Sequence, residues 1–236
     1  MYKGATMKAF ILAGGKGSRL RPYTTNFPKP LMPIKDKPIL EIVIDRLRKA
    51  GIKDIILGTG HLAELLKAFF GDGDKFGVKI SYSREDEPLG TAGPLNLVRD
   101  KFTDTFLVMN GDILTDIDFH ELINYHKNKK SIATVALSKR TVNIDFGVVA
   151  LDSENQFLEW KEKPQIEYLV STGIYIFEPE AMHILPPKGF FNLPDLIIKL
   201  AENNKKVTGY VHDGYWLDIG RASDYAKACE DYDSSV

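Results

Sequence analysis

The chain has 236 residues, 44% hydrophobic and 27% charged, with 31 basic and 32 acidic side chains giving a formal net charge of −1. This composition excludes a disordered or fibrous chain, and the charge balance argues against nucleic acid or an anionic membrane as partner. The single cysteine, Cys229, excludes an internal disulfide and a cysteine-built zinc site. No apolar run approaches the roughly 18 residues of a membrane span. Met1–Thr6 is too short and polar for a signal peptide. It reads as a leader before a single domain over 7–236, and the expected location is cytoplasmic.

In chain order, Lys8 to Leu12 is a short apolar run that reads as a buried strand entering a Gly-rich loop. Gly14 to Pro38 carries five prolines, so a long structured loop is expected there and not a helix. Apolar residues at Ile39, Ile42, Val43, Leu47 and Ala50 have helical spacing, with Gly51 as C-terminal cap. Strand Asp54 to Leu57, helix His61 to Phe70, strands Val78 to Tyr82 and Thr105 to Met109, helix Phe119 to Lys129 and strand Ile132 to Ser138 follow. Asp118 reads as the cap of the last helix. This alternation predicts an α/β fold, a mainly parallel sheet with helices on both faces. The second half adds strands Gly147 to Leu151, Phe157 to Trp160, Gly173 to Phe177 and Val207 to Val211, and helices Leu193 to Asn203 and Ala222 to Tyr232.

Leu12-Ala13-Gly14-Gly15-Lys16-Gly17-Ser18-Arg19 follows the first strand directly. Its glycines let backbone N–H groups approach a polyphosphate. Arg19 adds a planar fork of fixed charge suited to phosphate oxygens. Lys29, between Pro28 and Pro30, adds a cation on a stiff backbone. A Walker loop would need Gly-Lys-Ser/Thr after its spacer, and Gly17 is followed by Ser18-Arg19. A dinucleotide fingerprint would need glycine where Leu20 stands.

Asp112 follows a buried strand at its carboxyl end, where open α/β sheets bind ligands, and a carboxylate there can hold Mg²⁺. Asp218, in an apolar stretch, is the candidate second carboxylate, since a buried lone Asp is costly without a cation or donors. The alternatives are a turn-forming role for Asp112 and a helix cap for Asp218, for which Ser223 is the rival. Lys163 after a strand end could bind a second phosphate. The five histidines lack metal-ligand spacing and receive no role.

Gly14-Gly15-x-Gly17-Ser18-Arg19-Leu20 and Pro28-Lys29-Pro30-Leu31 resemble the opening of the sugar-phosphate nucleotidylyltransferases. Further matches follow in the same order as in that family: Glu87-Pro88-Leu89-Gly90-Thr91-Ala92-Gly93, Asn110-Gly111-Asp112, Phe146-Gly147-Val148, Glu162-Lys163-Pro164, Thr172-Gly173-Ile174 and Trp216-Leu217-Asp218-Ile219-Gly220. The resemblance implies a Rossmann-like fold with a mixed central sheet, a nucleotide-binding half over about 7–115 and a sugar-phosphate half over about 116–228. It implies that Leu12 to Arg19 wraps a nucleoside triphosphate and that Arg19, Lys29 and Asp112 are catalytic. It further implies Mg²⁺ on Asp112 and Asp218, and a base site including Glu85, Gly90 and Thr91. A sugar 1-phosphate pocket would be formed by Asn110, Gly147, Glu162, Lys163, Thr172 and Gly173.

The stretch around Glu85 is most similar to mannose-1-phosphate guanylyltransferases, where a carboxylate could accept from guanine N1–H and N2–H₂. GTP with mannose 1-phosphate is therefore expected. Other GDP-sugars, or UTP or dTTP with glucose 1-phosphate, are the alternatives. Ser171 stands where the family often has Asn. A small-molecule kinase and a nucleotide-sugar sensor are the competing classes. A homodimer is the base-rate assembly.

Overall fold

The computed structural model describes residues 7–235; the expected leader Met1–Thr6 lies outside them. Strand β1 (Lys8–Leu12) leads into the proline-rich loop, which holds 3-10 turns at Ser18–Leu20 and Lys29–Leu31 and a two-rung hairpin of β2 (Pro33–Ile34) and β3 (Lys37–Pro38). Helix α1 (Ile39–Lys49) buries the expected apolar stripe and stops before Gly51, whose φ of +79° a side chain would strain. Strand β4 (Asp54–Thr59), helix α2 (Ala63–Phe70) and strand β5 (Lys79–Arg84) follow. The second helix starts two residues later than expected because Leu62 is left-handed.

Strand β6 (Phe106–Asn110) turns into β7 (Ile113–Thr115), then helix α3 (Phe119–Lys129). Asp118 caps that helix as expected, accepting from the N–H groups of His120 at 2.7 Å and Glu121 at 3.1 Å. Then come β8 (Ala133–Asn143), the hairpin strands β9 (Val148–Leu151) and β10 (Phe157–Lys161), and β11 (Gln165–Phe177). Helix α4 (Leu193–Glu202) opens with a capping box between Asn192 and Asp195. Strands β12 (Val207–His212) and β13 (Trp216–Asp218) and helix α5 (Ala222–Ser235) complete the described chain.

Seven strands form the central sheet in the order β12-β8-β11-β6-β1-β4-β5. All neighbours are parallel except at β11, which runs antiparallel to both β8 and β6. The strands of the alternating first half are parallel as expected; β8 and β11 are joined by an excursion that returns the chain beside its own strand, so the whole sheet is mixed, as the resemblance implies. This is the Rossmann-like nucleotide-diphospho-sugar transferase fold. Period-two alternation sorts the core into two layers. Ala9, Ile11, Leu107, Met109, Ile174 and Ile176 pack on one face with α1, α2 and α3. Phe10, Val108, Phe106, Tyr175 and Phe177 pack on the other with α4. A third cluster, including Leu20, Ile34, Leu114, Leu217 and Ile219, fastens the proline-rich loop and the β7–β13 pair to the body.

Candidate active site

Strands β1 and β6 are parallel neighbours in register, with Leu12 opposite Asn110, so the glycine loop and Asp112 leave the sheet at adjacent carboxyl ends. Gly111 N–H bonds Leu12 O at 2.9 Å and Ala13 N–H bonds Gly58 O at 2.8 Å, fixing the start of each loop. The loop then turns at Gly17, which is left-handed at φ +59°. A Cβ there would meet Thr24 at 3.0 Å and Lys29 Cβ at 3.3 Å, so glycine is required. Thr24 closes the turn by donating to Gly17 O at 2.6 Å. This folds the second half of the loop back, and Lys29 enters the cleft from the 3-10 turn Lys29–Leu31.

The fourth wall comes from 200 residues away in sequence. Strand β13 pairs antiparallel with β7, placing Asp218 opposite Ile113, and Ile219 N–H donates to Asp112 O at 3.0 Å. The result is a cleft of about 180 Å³ lined by Leu12, Ala13, Gly15, Gly17, Ser18, Arg19, Lys29, Asp112 and Gly220. Arg19 reaches across it: its Nη1 lies 3.4 Å from where a Gly220 side chain would begin.

The electrostatics of the cleft are opposed charges held close together. The Lys29 ammonium donates to Asp112 Oδ2, and the Lys29 side chain is only 10% exposed. Asp112 Oδ1 is enclosed and has no hydrogen-bond partner. Burial raises the Asp218 carboxyl above its usual range, and the neighbouring Asp112 raises it further, against the pull of Lys29 and Arg19. Two carboxylates close enough to oppose each other's charge, one with a bare buried oxygen, form a donor set that a hard divalent cation could satisfy together with substrate phosphates. Among the described residues no cluster of three or more His, Cys, Asp or Glu side chains that could hold a metal ion occurs, so the protein offers this cleft two carboxylates at most.

Of the expected base residues, Glu85 sits beside the loop. Its Oε2 accepts Leu89 N–H at 3.0 Å, and its Oε1 occupies space that only glycine leaves open. A Cβ at Gly14 would lie 2.6 Å from that oxygen, and one at Gly60 3.2 Å. Gly90 and Thr91 are turned toward α4. Gly90 packs on the Phe191 carbonyl at φ +77°, and Thr91 Oγ1 accepts Leu193 N–H at 2.8 Å.

On the sugar side, Asn110 Nδ2 lies 2.6 Å from where a Gly173 Cβ would be, at the bulge that breaks the β11–β8 register between Ser171 and Tyr175. The Thr172 hydroxyl is buried and donates to Ala136 O at 2.9 Å. Ser171 Oγ is 3.0 Å from Tyr175 Oη. Gly147, Glu162 and Lys163 sit on the β9–β10 excursion and do not line the cleft. The Trp160 indole covers Gly147 and donates to Glu162 Oε2 at 3.0 Å, while Lys163 is exposed at φ +42°.

Sequence reasoning missed the residues that hold the site together. Trp216 Nε1 donates to Thr172 O at 2.9 Å, with Arg140 over its ring at 5.1 Å, so the strand carrying Asp218 is tied to the β11 bulge. Trp216 stood in the quoted motif, and its indole N–H was the signal. The rival cap proposed at Ser223 is also corrected. Asp224 is the acceptor, taking the N–H groups of Gly220 at 3.2 Å and Arg221 at 2.7 Å, which leaves Asp218 free for the cleft. His126 is fully buried against Thr134 and Glu178, a packing role that holds its imidazole below the usual range through desolvation. A larger hollow of about 610 Å³ lies between α1 and the turn Asp74–Phe76. There Asp45 is paired with Arg48 at 2.6 Å and Lys49 at 2.9 Å.

The nucleotidyl transferase family matches residues 8–235. A UTP–glucose-1-phosphate uridylyltransferase from Synechocystis sp. is 38% identical over 94% of this chain and 62% of its own length. A mannose-1-phosphate guanylyltransferase from Mycobacterium tuberculosis is 35% identical over 94% of this chain and 64% of its own. The chain thus spans just under two thirds of the length of these relatives. Among solved structures, HddC from Yersinia pseudotuberculosis, crystallised with GMP-PN, superposes with a TM-score of 0.74 at 26% identity, covering 96% of this chain and 99% of that one. No helix among the described residues is long and apolar enough to cross a membrane. With its glycine loop, Arg19, Lys29 and Asp112 folded into one cleft and the family match running nearly end to end, this chain belongs to the nucleotidyl transferase family.

Proposed function

We propose that the chain is a sugar-1-phosphate nucleotidylyltransferase, transferring a nucleoside monophosphate from a triphosphate to a sugar 1-phosphate and releasing pyrophosphate. The observation that carries this reading is the convergence of Arg19, Lys29 and Asp112 on one cleft, with Asp218 coupled electrostatically to all three. A sugar phosphate oxygen is already anionic, so the reaction needs no general base and no protein nucleophile. It needs alignment with the α-phosphorus and relief of repulsion between two anions. Positioning contributes on the order of 7–11 kcal/mol in such reactions, and fixed cations where charge accumulates are usually the largest single contribution. The loop N–H groups from Gly15 to Ser18 would hold the triphosphate, Arg19 its outer oxygens, and Lys29 the reacting centre. Asp112 and Asp218 would hold Mg²⁺, which when bound neutralises phosphate charge. Lys163 and Glu162 would meet the sugar phosphate from the β9–β10 excursion.

For substrates we propose GTP and mannose 1-phosphate. Glu85, oriented through Oε2 by Leu89 N–H with Oε1 beside the loop, presents an acceptor suited to guanine N1–H and N2–H₂. The guanylyltransferase relative and the GMP-PN complex support guanine. The uridylyltransferase relative favours UTP with glucose 1-phosphate as the second reading. A cytoplasmic location belongs to this proposal, since multiply charged substrates do not cross a bilayer unaided. The test is pyrophosphate release across a matrix of GTP, ATP, UTP and dTTP against a panel of sugar 1-phosphates. Turnover with GTP and mannose 1-phosphate above the other pairs is expected. Release with UTP and glucose 1-phosphate alone would overturn the base assignment, and no release with any pair would overturn the activity.

A further inference from the structure

Trp216 and Asp218 alternate with Leu217 along β13. Leu217 packs into the cluster that fastens the proline-rich loop, so Trp216 and Asp218 share the opposite face. Asp218 is turned toward Asp112, Lys29 and Arg19, whose charges act on it. Trp216 therefore stands one step outward from the proposed reacting centre. Its indole reaches across to β11 through Nε1 to Thr172 O at 2.9 Å. Thr172 leads into Gly173, which packs on Asn110 at the end of β6. Asn110, Gly173, Thr172 and Trp216 thus form one continuous wall on the sugar side.

Arg140 closes the outer end of that wall. It lies on the outer part of β8, opposite Tyr168 of β11, and its guanidinium carbon is 5.1 Å from the centre of the Trp216 ring. Trp216 packs against the inner core layer, and Arg140 is exposed, so the guanidinium covers the solvent side of the indole. Lys139 and Thr141 point to the other face of the strand. There Lys139 takes Asp213 at 2.9 Å, and Glu167, opposite Thr141, shares that face. Among the described residues no carboxylate pairs with Arg140. A guanidinium held over an aromatic ring leaves its planar fork of N–H donors free for oxygen acceptors.

We propose that Arg140 is a specificity residue for the acceptor, reading the hydroxyl oxygens on the edge of a hexose ring opposite C1. The proposal rests on the sugar 1-phosphate reading above; Arg140 belongs to none of the motifs that carry the family resemblance. The span fits. Two residues of strand cover about 7 Å, and with 5.1 Å from the Trp216 ring to Arg140 the guanidinium stands on the order of 12 Å from Asp218. In a hexose 1-phosphate, roughly six bonds separate phosphorus from the oxygen at C4 or C6, a reach of up to about 7 Å. A polar contact of about 3 Å at each end completes the distance.

The test compares Arg140→Met and Arg140→Lys with the parent, using mannose 1-phosphate and its 4-deoxy and 6-deoxy analogues. Pyrophosphate release gives kcat and KM, and titration calorimetry gives binding without turnover. Arg140→Met should raise the KM for mannose 1-phosphate about tenfold, the order of one lost hydrogen bond from a charged donor, with kcat and the KM for GTP unmoved. One deoxy analogue should bind the parent about tenfold more weakly than mannose 1-phosphate and lose nothing further in Arg140→Met, since residue and hydroxyl then act as one contact. Arg140→Lys keeps a cation over the ring but no fork, and should retain most of the defect. Equal losses for all three sugars, or full recovery in Arg140→Lys, would overturn the proposal. So would a fall in kcat with KM unmoved, which is the result of merely propping Trp216 and the strand that carries Asp218. Parent-like behaviour of Arg140→Met would overturn it and leave the sugar 1-phosphate reading standing. A parent that binds none of the three sugar phosphates would overturn both.

Discussion

The pair formed by Lys29 and Asp112 ties the stability of the fold to its proposed chemistry, and Lys29→Met separates the two. The Lys29 side chain is 10% exposed and that of Asp112 25%. Removing one partner of a fully buried ion pair costs about 3–5 kcal/mol, and the residual exposure of Asp112 lowers this to about 2–3 kcal/mol. Asp112 would then keep two carboxylate oxygens without donors, since Oδ1 already has none. With a urea slope near the upper end of roughly 1–3 kcal/mol per molar, the unfolding midpoint should fall by about 1 M in chelator. Loss of the ammonium also opens Oδ2 to a divalent ion. Mg²⁺ at about 100 times its dissociation constant should restore up to about 2.7 kcal/mol, while turnover stays down by about 10²–10³-fold. A midpoint unchanged in chelator would show that the pair contributes nothing to the fold. A midpoint that falls but ignores Mg²⁺ would remove the cation from Asp112.

Gly14→Ala forces the Glu85 carboxylate aside, because the new Cβ would stand 2.6 Å from Oε1 and 3.0 Å from Gly60 N. The kcat/KM ratio for GTP over UTP should fall by about tenfold, the order of one displaced base contact, and an unchanged ratio would exclude Glu85 from base reading. Asp218→Asn should abolish Mg²⁺-dependent turnover yet leave the protein as stable as the parent or more so. Burial and Asp112 raise the folded carboxyl of Asp218, so the stability its protonated form supplies is present at low pH and lost as pH climbs through that raised value. The gain from Asn should thus appear at neutral pH and vanish below the ordinary carboxylate range of about 4, and urea titrations at pH 7 and pH 3.5 check it. Trp216→Phe removes the N–H bond to Thr172 O and should cost about 1 kcal/mol. Because β13 carries Asp218, kcat should fall more than the KM for either substrate; equal loss in a control such as Tyr210→Phe would mark the effect as general loosening.

The local part of this protein was legible in its sequence. The helices over Ile39–Lys49 and Phe119–Lys129 and the strand Lys8–Leu12 lie where their apolar periods put them, since burial of one stripe or one face is written in the spacing itself. The Asp118 cap was readable for the same reason. Strand lengths were not. Only Thr172–Phe177 of the 13-residue β11 is buried, and the exposed outer half carries no alternation from which to infer pairing. The antiparallel insertion of β11 depends on a partner strand far along the chain, which no local pattern encodes. Sequence nominated Asp112 and Asp218 as chemically suitable. The rung between β7 and β13, joining residues about 100 positions apart, brings them together, and the Trp216 tie and the Asp224 turn hold β13 in place. Composition and period determine which residues are buried, and tertiary pairing alone decides which charges meet, because electrostatic contact depends on distance in space and not along the chain.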